Sequence, residues 1–98
     1  MKYSVLISTT AEADLVEIYK WYEFQRTGLG DEFMTDFERS LQSLSEFPHY
    51  QLRYGEIRYK SLHRFPHLIH YRLFESTQKV LVEAVMHPSQ FPRDFRKG

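Results

Sequence analysis

Cysteine is absent from all 98 residues, which excludes a disulfide framework and any thiolate metal site and fits a reducing, cytoplasmic setting. No apolar run approaches the roughly 20 residues needed to span a bilayer. Met1-Lys2 leads into a short strand-like run, not a signal-peptide core. A glycine-rich phosphate loop is missing too: Gly28-Leu29-Gly30 lacks the pattern that should follow and precedes an acidic helix start. His49, His63 and His67 have no metal-ligand spacing, and no Ser-His-Asp arrangement can be inferred. The expectation is one soluble intracellular domain over residues 1–98 without metal, small-molecule cofactor or membrane contact. What is abundant is hydrophobic content at 42%, with 16% aromatic, enough for a globular core carried largely by large rings.

Net charge is zero, but the zero hides a division. Residues 1–50 hold four Lys/Arg against nine acids, a balance of −5, and residues 51–98 hold nine against four, a balance of +5. Four of the five histidines also fall in the second half. Such a split marks a surface for a polyanion or an acidic partner, or else a helical half that exposes acids and a strand half that exposes bases.

Hydropathy patterning divides the chain the same way. Tyr3, Val5 and Ile7 alternate with polar neighbours, predicting a short first strand. Thr9-Thr10-Ala11-Glu12 matches a capping box with Thr9 as N-cap. Leu15, Ile18, Tyr19 and Tyr22 then form an amphipathic helical stripe, with Arg26 in the last turn and Gly28 ending it. Asp31 as N-cap and Glu32 open a second helix with the stripe Phe33, Met34, Phe37, Leu41 and Leu44, closed by Pro48. After a polar stretch the period becomes two, predicting strands at 57–64, 67–75 and 79–87 and an irregular basic tail over 88–98. The fold class expected is a two-layer α+β domain, β-α-α-β-β-β, with the helical hairpin on one face of an antiparallel sheet.

Strand parity then sorts side chains. Ile69, Tyr71 and Leu73 take one face and Leu68, His70, Arg72 and Phe74 the other. Val80, Val82, Ala84 and Met86 are assigned to the core, and Leu81, Glu83, Val85 and His87 to the opposite face. Arg58, Lys60 and Arg64 share parity and join His70, Arg72, Glu83 and His87, although Leu62 breaks the pattern unless a bulge resets it. Cations beside imidazoles suit a phosphodiester, because guanidinium groups contact phosphate oxygens and a histidine moves protons near neutral pH. Arg58, Lys60, Arg72 and His87 are therefore the candidate catalytic set if the chain cleaves RNA. The competing reading is a solvated strand face with an Arg72–Glu83 cross-strand pair, and a structural role for His70. Tyr19, Trp21 and Tyr22 suit base stacking or, alternatively, core or partner packing.

These residues resemble a known group. The first-helix run Ala13-Asp14-Leu15, Glu17-Ile18, Trp21-Tyr22-Glu23 is similar to that of the RelE/ParE superfamily, the toxins of type II toxin–antitoxin pairs. So are Gly28-Leu29-Gly30 with Phe33, Arg64-Phe65-Pro66 with Ile69 and Tyr71-Arg72, and Ala84-Val85-Met86-His87 with Arg93-Asp94. The resemblance implies a cytoplasmic bacterial growth inhibitor silenced by a cognate antitoxin, whose acidic or amphipathic segment wraps the toxin. It implies Arg64, Trp21, Tyr22 and Arg93 as partner-binding residues. RelE-like members are metal-independent endoribonucleases that cut mRNA in the ribosome, with cations at the places of Arg58, Lys60 and Arg72 and in some a histidine at that of His87. ParE-like members instead poison DNA gyrase. Residues 88–98 hold no tyrosine, Phe91 and Phe95 being their only aromatics, and the first-helix and Gly-Leu-Gly features are closer to the ParE side. The expectation is a ParE-like toxin acting on gyrase, with a RelE-like ribonuclease, or an inactive antitoxin-binding module, as alternatives.

Overall fold

The structure, a computed structural model, describes residues 2–90. The elements in chain order are β1 (Ser4–Ile7), α1 (Thr9–Gln25), α2 (Leu29–Glu46), β2 (Leu52–Tyr54), β3 (Ile57–Ser61), β4 (Leu68–Phe74), β5 (Lys79–Met86) and a 3-10 turn at Pro88–Gln90. The five strands form one sheet in the order β1-β5-β4-β3-β2. Neighbours are antiparallel except β1, which runs parallel to β5 with Ser4 opposite Lys79 and Ile7 opposite Val82. The helical hairpin lies on one face, as its two apolar stripes require. The expected basic tail is described only through its 3-10 turn, and residues 91–98 lie outside the described residues.

The first helix begins one residue earlier than the capping-box pattern suggests. Ser8, not Thr9, is the N-cap, in extended conformation with its Oγ accepting the Ala11 N–H at 3.0 Å. The cause lies in the sheet. The Ser8 N–H bonds the Val82 carbonyl at 2.9 Å and its hydroxyl donates to the Glu83 carbonyl at 3.0 Å, so β5 sets where the chain turns into α1.

The second helix also starts early, with Gly28 as N-cap at φ +91, a left-handed conformation that a side chain would resist. Asp31 and Glu32 fall in its first turn, so Asp31 is not the cap. Its cap arrives from α1: the Glu23 carboxylate accepts the Gly28 N–H at 2.8 Å and the Gly30 N–H at 2.9 Å. Gly30 permits this approach, because a Cβ there would stand 2.8 Å from Glu23 Oε1 and 2.9 Å from the Tyr19 ring.

Phe33, Phe37 and Leu44 of α2 and Ala11 and Leu15 of α1 meet Ile69, Tyr71, Val80, Val82 and Val85 in one core. Tyr71 is fully buried and donates its hydroxyl to the Pro48 carbonyl at 2.6 Å. Burial pushes its phenol up to about 12.

Two features depart from strand parity. The stretch read as polar contains β2, which forms a hairpin with β3 across Gly55-Glu56. Three residues are too few to show an alternation. In β5 a bulge intervenes: His70 pairs with Ala84 but Tyr71 pairs with Val82, leaving Glu83 as the extra residue. Val80 and Val82 face the helices as expected, whereas beyond Glu83 the phase inverts. Val85 enters the core, and Ala84 and Met86, though buried, sit opposite His70 and Leu68 on the other face.

Two outcomes are expected in thermal or chemical unfolding. Gly30→Ala should cost about 1–3 kcal/mol, the range for overpacking a close contact that cannot relax freely. Ser8→Ala should cost about 1–2 kcal/mol, as loss of an N-cap whose hydroxyl also satisfies a strand carbonyl.

Candidate functional site

The predicted cationic face does not form. Cross-strand partners share a face, and Arg58 lies opposite Tyr71 and Lys60 opposite Ile69, both core residues. Arg58 and Lys60 thus emerge on the helix side of the sheet. Arg58 donates to the Tyr50 carbonyl, and the Lys60 ammonium sits 5.3 Å from the Tyr50 ring centroid. Arg72 points to the opposite side, with its Nε 3.0 Å from a Glu83 carboxylate oxygen and Nη1 4.0 Å from Glu56. The cross-strand pair considered from sequence is the arrangement found. His70 is fully buried on Arg72's side, bonded to the Tyr54 hydroxyl at 3.1 Å and 4.4 Å from the Tyr59 ring. Parity failed for Arg58 and Lys60 because Tyr59, alternating with them, packs against His70 instead of the helices.

His87 goes to the helix side, because the bulge turns β5 over before it. There its ring meets His67 at 5.4 Å in a T-shaped contact, and its Nδ1 accepts the Ser89 N–H at 3.0 Å. Glu17, Ile18, Trp21 and Tyr22 of α1 complete a pocket of about 470 Å³ around His67, His87 and Ser89. Tyr22 packs on Phe33, Phe65 and His67, while Trp21 is 59% exposed and meets Tyr22 edge-on at 5.1 Å. His67 is only 6% exposed, and its Nδ1 finds no hydrogen-bond partner among the described residues. Burial first, then the neighbouring His87, lowers its imidazole to about 4. It is therefore neutral at pH 7. The sequence assigned no site role to Ser89, to Glu17, which entered only in the family-like first-helix run, or to His67, weighed only as a metal ligand. The signal was available on α1, where Asp14, Glu17, Ile18 and Trp21 form an i, i+3, i+4, i+7 stripe, but nothing in the sequence aims His67 at it.

Arg64 is placed by a buried carboxylate. Asp36 of α2 accepts the backbone N–H groups of His63, Arg64 and Phe65 at 3.2, 2.8 and 3.2 Å, which fixes the β3–β4 connection. The Arg64 guanidinium then pairs with Glu32 at 2.9 Å, which Arg26 also reaches at 3.2 Å. Hydrogen bonds from Arg64 and Arg26 hold the Glu32 carboxyl below its usual range. The structure thus brings Trp21 and Tyr22 to the pocket with His87, places Arg64 behind Tyr22 against Phe65, and leaves Arg58, Lys60 and Arg72 elsewhere. Arg93 lies outside the described residues. Among the described residues no group of three or more His, Asp or Glu is disposed to hold a metal ion, and no helix is long and apolar enough to cross a membrane.

A family described as ParE toxin of type II toxin–antitoxin system, parDE, matches residues 5–91. Among solved structures, a chain of the chromosomal ParDE system from P. aeruginosa superposes with a TM-score of 0.76 at 17% identity, covering 87% of this chain and 95% of that one. A chain of the RelBE2 toxin–antitoxin complex from Mycobacterium tuberculosis gives 0.62 at 20% identity, with 89% and 99% covered. A chain of the intact E. coli RelBE complex gives 0.50 at 14%, with 87% and 95% covered. At these identities the likeness is one of fold. No curated protein sequence matches.

The His67 environment makes a pH prediction. Its folded value, about 4, lies below the ordinary 6.5. Above pH 6.5 neither state binds the proton; between 6.5 and 4 only the unfolded chain does. Stability should therefore fall as pH drops through that window, by up to about 1.4 kcal/mol per pH unit, and level off for this group below 4. Glu32 and Glu75, both held below 4.5, add their losses only under that pH. Melting temperatures between pH 8 and 5 should decline in the parent and decline less in His67→Gln; equal declines would exclude this ring as the cause.

Proposed function

The chain belongs to the ParE toxin family of type II toxin–antitoxin systems, and on that premise we propose that it is a growth inhibitor that acts on DNA gyrase and is held silent by a cognate antitoxin. The observation that carries the choice of a protein target over RNA cleavage is the β3–β4 register. It puts Arg58 and Lys60 on the side of the sheet away from Arg72, whose guanidinium is engaged by Glu83. A phosphodiester in flight needs cations and a proton-transfer group converging within hydrogen-bond reach. Here His87 rests against His67 and α1, two strands from Arg58 and Lys60. Large apolar side chains are meanwhile presented outward on α1, with Phe24 89% exposed beside Trp21, which suits contact with protein.

The antitoxin reading rests on a second surface. Tyr50 and Leu52 are exposed beside Arg58 and Lys60 at the β2–β3 edge, and exposed Phe47 closes α2. Apolar anchors between cations fit an acidic amphipathic segment, and the RelBE2 and RelBE relatives are themselves toxin–antitoxin complexes. Cytoplasmic action follows from either partner.

Purified protein added to gyrase and relaxed plasmid should block supercoiling and accumulate cleaved DNA, and Arg72→Ala should inhibit as the parent does. Untouched supercoiling together with codon-positioned mRNA cuts that vanish in Arg72→Ala would replace this reading with the ribonuclease. Absence of both effects, with no growth arrest on induction, would leave an inactive antitoxin-binding module.

A further inference from the structure

We propose that the pocket between α1 and the adjoining ends of β4 and β5 is a receptor for an arginine side chain presented by a partner protein. Its walls are aromatic: the half-exposed indole of Trp21, the phenol of Tyr22 and the imidazoles of His67 and His87, with Ile18 between them. Its charge is acidic. Glu17 lines it, and Asp14 stands one turn earlier on the same helical stripe, its carboxylate turned toward β5, where it accepts the Val85 N–H at 2.9 Å. Among the described residues no lysine or arginine lines it. Lys20, the nearest cation along α1, leaves the helix more than 100° from the centre of the lining face, by the 3.6-residue period.

The chemistry follows from those three facts. A flat guanidinium stacks on an indole face better than any other cationic side chain, and cation–π attraction grows as water is excluded. Its apolar stem matches the Ile18 and Tyr22 walls. A carboxylate at the rim then pairs with the charge. His67, kept neutral by its burial, lets the floor accept a cation without imidazolium repulsion from that ring. A nucleotide base would find a stacking surface here but would bring a phosphate toward Glu17 and Asp14, so the observations favour protein over nucleic acid. The inference does not depend on which protein the toxin inhibits, since it rests on the pocket alone.

Trp21 is the only tryptophan in the chain, so its indole N–H is a unique reporter in a 15N correlation spectrum. Titration of the intact protein with acetyl-arginine methylamide should shift that signal saturably, with a Kd on the order of 1–10 mM, as one cation–π contact and one ion pair sustain. Acetyl-norleucine methylamide should give no saturable shift. Glu17→Gln, a substitution at an exposed position that keeps the side chain's shape, should weaken the arginine analogue at least about 5-fold while the melting temperature stays that of the parent. Trp21→Leu should abolish the response read on the His67 and Tyr22 ring signals. Equal binding of the norleucine analogue would reassign the pocket to an apolar anchor and overturn the proposal. So would tighter binding of adenosine monophosphate, an unchanged affinity in Glu17→Gln, or no saturation with the arginine analogue.

Discussion

The structure turns on one extra residue in β5. Glu83 has no partner across the ladder to β4, and β5 also runs past the end of β1, whose last paired residue is Ile7 opposite Val82. On that edge, backbone groups beyond this point face no strand, and buried polar groups without partners are costly. Side chains of α1 and its cap take them up: the Ser8 hydroxyl donates to the Glu83 carbonyl and Asp14 accepts the Val85 N–H. The Glu83 side chain meanwhile engages Arg72 on the far face. A single irregularity therefore sets the start of α1, docks that helix to the sheet, occupies one candidate catalytic cation and carries His87 round to the helix side.

The same economy explains the uneven charge along the chain. Asp14, Glu23 and Asp36 all lie on the helices, and each accepts backbone N–H groups: one at a strand end, two at the start of α2, three in the β3–β4 connection. Carboxylates serve here because a charged acceptor makes stronger hydrogen bonds to amides than a neutral one. Glu32 gathers Arg26 and Arg64. Much of the acidic excess of the first half thus holds the chain to itself, as do Arg64 and Arg72 from the basic half. The division of charge is only in part a surface feature.

Legibility in the sequence tracked repetition. The stripe Phe33, Phe37, Leu44 recurs at helical period and is the core that forms, and Tyr3, Val5 and Ile7 pack against it as their alternation implies. Single-residue events left no trace. Val80-Leu81-Val82 and Ala84-Val85-Met86 are apolar at every position, so the sequence reads equally well with or without a phase reversal at Glu83. Cap positions moved by one to three residues because the donors they serve are chosen by β5 and by Glu23, both distant in the chain or on another element. The pocket needed two facts the sequence does not contain: the bulge that turns His87, and the Asp36-bound connection that brings His67 to Tyr22 and Phe33.

Among the described residues these internal commitments leave two surfaces of opposite character. Arg58 and Lys60 stand beside exposed Tyr50 and Leu52 at one edge, while Trp21 and Glu17 flank the imidazole-floored pocket on α1. Among the described residues neither combines clustered cations with a proton-transfer group, the pairing that phosphodiester cleavage uses. Each does combine large apolar side chains with charge of one sign, and that pairing gives protein recognition its affinity from the rings and its selectivity from the charge. The character of both surfaces is therefore set in this chain by where one bulge and three helix carboxylates leave the remaining charges.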